Sequence, residues 1–270
     1  MSVSLIPTTQ KIEQACELLN EAISRLLLAV SLCPPIGRYE ADVEASNLLK
    51  LIIRHVESII SISQSDLVLL PSAIVVARSA YETAIKLLWI IDPQDPFNRE
   101  VRWLAHLQTE EEFYIKMSNK LGKFGLGQEE QELATAIKEF RLGVTDKLPD
   151  GYRALSRLPN LYDMLTSLNQ ENKYITYIVF SQFSHANHHA TKFYRKNLGI
   201  NREIGEYISS QDWWSCFAIA WYCIHSTGEK FLSIIGGDPT KFLSLEFGNQ
   251  IQTAIDAIKD DELNFINKNK

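Results

Sequence analysis

Glycine and proline are scarce in this chain, 12 and 9 in 270 residues. That argues against a turn-rich β-sandwich. An excess of basic charge is missing too. Lys and Arg total 27 against 33 Asp and Glu, a net charge of -6. General electrostatic capture of nucleic acid is therefore disfavoured, although a local basic patch is not. No apolar run is long enough to span a bilayer, so no membrane contact is expected. The most apolar stretch, Trp213 to Ile224, is broken by Ser215 and reads as a buried central helix. The opening MSVSLIPTTQKIEQ has no basic stretch leading into an apolar core, so no signal peptide is expected. Cysteine is limited to Cys16, Cys33, Cys216 and Cys223, without a CxxC pair. All four are read as reduced and buried in a cytoplasmic protein. Phosphate loops, dinucleotide fingerprints, Gly-x-Ser-x-Gly elbows and kinase signatures are also absent, which disfavours the familiar nucleotide-driven enzymes. No cofactor is expected.

What is present is helical periodicity almost throughout. Ile12, Ala15, Cys16, Leu19, Ile23, Leu26, Leu27 and Val30 follow the spacing of an amphipathic helix, started by Thr9 and stopped by Cys33-Pro34-Pro35. Further helices are predicted over 38–63, 70–91, 97–121, 128–142 and 161–168, then over 173–194, 204–235 and 242–263. Few stretches alternate with period two, so strands have little support. The expected fold is all-α, a single bundle of about eight or nine helices over 1–263. A surface loop is expected near 143–160 and a frayed tail at 264–270.

Three groups of residues could carry chemistry. In ARSAYET, Arg78 and Glu82 stand at i, i+4, beside Tyr81 on the apolar stripe of their helix. A charge there belongs either to a structural ion pair or to the floor of a site. In SQFSHANHHATKFYR, His185, His188 and His189 could share a helix face. His-x-x-x-His alone is weak evidence for a metal, no third ligand is identifiable, and no metal site is assigned. Lys192, Arg195 and Lys196 follow, interleaved with Phe193 and Tyr194. Such residues suit phosphate contact and stacking, but a helix C-terminus also favours cations. Six residues separate Arg99 from His106. That spacing is similar to the Arg-x4–6-His motif of metal-independent helical ribonucleases of the HEPN superfamily. Glu100 departs from the polar, often amide, residue usual after that Arg. Eleven arginines and six histidines make such a spacing common by chance. Trp213, Trp214, Trp221 and Tyr222 fit one broad helix face, with core packing the default reading and a ligand wall the minority one.

The stretch ARSAYETAIKLLWIIDP, the later Arg102 and SQFSHANHH resemble a family of bacterial helical proteins known as a domain of unknown function. The resemblance covers roughly residues 65–195. It rests on Arg78, Glu82, Arg102, Ser181 and His185, and it implies that the Arg, Glu and His converge within the bundle. No settled activity comes with it. The favoured reading is a cytoplasmic binding or interaction protein. Its polar pocket would hold Arg78, Glu82 and His185, with Tyr81, Arg102, Ser181, His188 and Arg195 as ligand-binding candidates, and would take an anionic ligand or a protein partner. The alternative is a metal-independent endoribonuclease of a defence or toxin system, with RNA as its substrate. A further alternative is a structural dimerisation module, which would leave an apolar stripe exposed on the first or last helix.

Overall fold

A computed structural model describes residues 5–153, 155, 157–185, 187–197, 199–261 and 267–268. Eleven α-helices occur among them: α1 Gln10–Ser31, α2 Glu40–Ser65, α3 Leu70–Ile91, α4 Pro96–Leu121, α5 Gln128–Thr145, α6 Leu161–Ser167, α7 Tyr174–Ser184, α8 His188–Thr191, α9 Trp214–Ile234, α10 Pro239–Phe242 and α11 Leu245–Ala257. Nine of them have seven residues or more, which is the all-α bundle the periodicity predicts.

Local chemistry sets the helix ends. The Thr9 hydroxyl accepts from the Ile12 N–H at 3.3 Å and starts α1. Asp95 caps α4 ahead of Pro96, and Pro71 sits in the first turn of α3, where its missing N–H costs nothing. Between α4 and α5 the chain reverses through Gly127, with φ +103°. A Cβ there would lie 2.7 Å from the Ser118 carbonyl oxygen, so only glycine fits.

The centre is made of α2, α3 and α9, which pack on one another. Trp213, Phe217 and Phe231 are fully buried there. On one side α1 packs against α9, α10 and α11. On another side α6 and α7 lie on α3, while the first half of α4 lies on α2. The segment before α1 is tied down at two places: the Thr9 hydroxyl donates to Asp261 Oδ2 at 2.5 Å, and the Ile6 carbonyl accepts from the Leu67 N–H, between α2 and α3, at 3.0 Å.

Several expectations are corrected. The helix expected over 173–194 splits, because α7 ends at Ser184 and the chain becomes extended at Asn187. The Asn187 N–H donates to the Gln182 carbonyl at 3.1 Å, and its side-chain amide donates to Gln182 Oε1 at 2.9 Å. Asparagine here competes with the helical ladder and wins. The helix expected over 204–235 begins only at Trp214. Its first residues instead form part of a small antiparallel sheet of β1 (Arg195–Lys196), β2 (Glu203–Glu206) and β3 (Asn267–Lys268). These strands are too short to show a period of two. The last helix is also shorter than expected, with Phe242 closing α10 and α11 running only to Ala257. The tail lies outside the described residues apart from β3, whose Lys268 and Asn267 pair with Gly205 and Glu206. Cys33 is only half-buried, with its thiol donating to the Ala29 carbonyl at 3.2 Å. Leu148 and Leu158 of the expected surface loop pack against the core. Among the described residues, no helix is long and apolar enough to cross a membrane.

Candidate functional site

Arg78 and Glu82 form the ion pair that their spacing predicts, with Nε to Oε1 at 2.6 Å. Arg78 is half-buried because α7 covers it. Its guanidinium lies 5.1 Å from the centre of the Tyr177 ring and 3.5 Å from the Tyr177 hydroxyl. Glu82 and Tyr177 also line a polar cleft of about 300 Å³ with Ser79, Thr83, Lys86 and Met164.

His185 does not join this pair. It is the exposed C-terminal cap of α7, eight residues beyond Tyr177 or about 12 Å further along the helix. Among the described residues, no hydrogen bond or ion pair links it to Arg78 or Glu82. Ser181 turns back on its own helix, donating to the Ile178 carbonyl at 2.7 Å. His188 stands beyond the break, and its Nδ1 meets the Arg195 guanidinium. Arg195 lies on β1 rather than on a helix and also donates to Thr191 Oγ1 at 3.2 Å. Arg102 closes the far end of α3, where it donates to the Trp89 carbonyl and lies 3.8 Å from Asp92. Arg78 is some 16 Å away along that helix.

Arg99 and His106 face α2. Arg99 holds Asp42 through two nitrogens, at 2.9 and 3.2 Å, and donates to the Pro93 and Gln94 carbonyls at 3.3 and 3.0 Å. His106 Nε2 lies 3.6 Å from Glu44, whose pKa is lowered chiefly by its hydrogen bond to His106. Both residues are buried and spent on carboxylates, so neither is presented to a substrate. Beside them Glu100 accepts from the Ala41 N–H at 3.0 Å through one oxygen, while its other oxygen is buried and unpartnered. Burial raises the Glu100 pKa, with Asp42 and Glu40 adding repulsion. A carboxyl raised in the folded state contributes stability below its ordinary value of 4.5 and loses it as pH rises. Glu100→Gln is therefore expected to melt at a higher temperature than wild type at pH 8, with the gap closing as pH falls toward 4.5. Thermal melts across that range test this.

An apolar concavity lies elsewhere, between α7 and α9 over the face of α3. Its volume is about 350 Å³. Trp214, Ala218, Ile219 and Tyr222 of α9 form one wall and Ile175, Thr176, Val179 and Phe180 of α7 the other, with Tyr81 and Lys173 between them. On α9 a small residue, Ala218, separates two aromatics at i, i+4, i+8, and this leaves the opening. The polar groups meet at one end. Tyr81 donates to the Lys173 carbonyl at 3.0 Å, Tyr222 donates to Gln170 Oε1 at 2.6 Å, and Lys173 Nζ donates to the same oxygen at 3.1 Å. The ammonium lies 3.9 Å from the centre of the Tyr222 ring. Burial lowers the Lys173 pKa and raises those of Tyr81 and Tyr222. The sequence signal for this groove was the minority reading of the aromatic cluster. Lys173 belongs to no motif and was missed. Among the described residues, no group of three His, Cys, Asp or Glu is placed to hold a metal ion.

The fold and site define an all-helical bundle with a groove between packed helices. Residues 44–202, more than half of the chain, match a family of unknown function, DUF5677, and the chain belongs to that family. The match takes in Arg78, Glu82, Arg102, Ser181 and His185 but stops before α9, the second wall of the groove. No curated protein and no solved structure matches the chain.

Proposed function

We propose that this protein binds a small molecule with an apolar body and an anionic end, in the groove between α3, α7 and α9. The observation that carries this reading is the half-buried Lys173 ammonium at the end of an otherwise apolar groove. An ammonium has three donors. Gln170 takes one, the Tyr222 ring faces the charge, and a ligand carboxylate would satisfy what remains. The volume lies in the range of ordinary ligand pockets, roughly 300–1,000 Å³. The binding role first read into Arg78, Glu82 and His185 thus moves one helix face away, because His185 stands apart from the other two.

Calorimetric titration with decanoate and with decanol tests the proposal. Decanoate is expected to bind saturably. Ala218→Trp fills the groove and is expected to abolish binding in a protein that stays folded by circular dichroism. Lys173→Met is expected to weaken decanoate about tenfold, the scale of one charge-assisted hydrogen bond, and to leave decanol unchanged. Absence of decanoate binding, or binding that survives Ala218→Trp, overturns the reading.

A further inference from the structure

The helix α5 has 18 residues, yet only Ala134 among them is buried. It packs along α4, and together they form a two-helix hairpin. The seam between the helices is marked by the Glu111–Arg141 ion pair at 2.9 Å and by the Ser118 hydroxyl donating to the Gly127 carbonyl at 2.8 Å. In an antiparallel pair, residues one position before the seam fall on one side of the hairpin and those one position after fall on the other. The preceding side carries Met117, Leu133 and Phe140, with Phe113 and Leu121 a turn away on α4. Phe113, Leu133 and Phe140 are 52%, 48% and 47% exposed, and Phe140 lies edge-on to the buried Trp103 at 5.9 Å. The following side carries Glu112, Asn119 and Thr135, with Leu142 and, a turn away on α4, Ile115 as its apolar members. The hairpin is amphipathic, and its apolar side faces solvent.

We infer that this side is the interface between two antiparallel copies of the chain. The charges select that arrangement. Glu110 stands at the base of the hairpin on the apolar side and Lys120 near its tip, ten residues or about 15 Å apart. Neither has an ion-pair partner among the described residues. A twofold axis level with Ile115 brings each Glu110 opposite Lys120 of the second copy. A parallel pairing would set like charges against each other. The face is about 27 Å long and two helices wide, roughly 500 Å² in projection and so ~1,000 Å² over both copies, the lower bound for a biological interface. A dimerisation module is expected from the sequence to expose its stripe on the first or last helix; this one lies on α4 and α5.

Sedimentation equilibrium of the full chain tests this inference. Wild type is expected to be a dimer, and Leu133→Glu a folded monomer. Glu110→Lys and Lys120→Glu are each expected to weaken the dimer about tenfold, and the two together to restore it. Circular dichroism melts confirm that each variant is folded. A wild type that stays monomeric at ~0.1 mM, a dimer indifferent to Leu133→Glu, or a double variant no tighter than the single ones overturns the inference.

Discussion

Arg99→Ala is expected to destabilise the folded state by about 3–5 kcal/mol, the cost of leaving a buried charge without its partner. Asp42 has 13% of its side chain exposed and is held by two of the Arg99 nitrogens. Removing the guanidinium strands that carboxylate between α2 and α4. It also frees the Pro93 and Gln94 carbonyls at the α3–α4 connection. The melting temperature is expected to fall by about 10 °C. Arg99→Met combined with Asp42→Leu removes both charges and is expected to recover most of the loss, because an apolar pair of similar size is often equivalent to a buried ion pair. The same measurement separates the structural role from a nuclease role. A catalytic Arg99 would leave stability unchanged, or higher, when truncated, and its loss would appear only in RNA cleavage.

Trp213→Ala is expected to cost about 3–5 kcal/mol by chemical denaturation. The Trp213 side chain is fully buried and packs against Phe217, with ring centres 6.5 Å apart. Its indole N–H donates to the Leu67 carbonyl at 3.0 Å, so it fastens the start of α9 to the turn between α2 and α3. The alanine variant loses the apolar contacts, leaves a cavity and removes one of the two hydrogen bonds to the Leu67 carbonyl, which keeps the one from the Leu70 N–H. Trp213→Phe keeps most of the volume and loses only the hydrogen bond and part of the ring. Its expected cost is about 1–2 kcal/mol. A cost of similar size for both variants would mean that the hydrogen bond, rather than the packing, holds this junction.

The candidate site was legible in pieces. The pairing of Arg78 with Glu82 follows from their spacing on one helix, and it is present at 2.6 Å. The expectation that His185 joins them required α7 to continue unbroken and to turn its far end toward α3. Asn187 ends that regularity within three residues of the helix terminus. Arg99 and His106 matched a catalytic spacing, but a spacing does not say what a helix face packs against. Here it packs against Asp42 and Glu44. The groove was the hardest part to read. Tyr81, Lys173 and Tyr222 are far apart in the chain, and no motif joins them.

Local rules were enough for the helices. Periodic apolar positions, the Thr9 cap, Pro71 in a first turn and the glycines after Leu121 predict most of α1 to α6, and α3 spans the predicted residues 70–91. Each of these signals acts within a few residues, where sequence distance and spatial distance are nearly the same. Tertiary packing decided the rest. It decided that Arg99 is a strut and that α5 shows one apolar side to solvent. It also set a lysine at the end of an apolar groove between three helices. These are distances between remote segments, fixed by how whole helix faces dock rather than by any short pattern of residues.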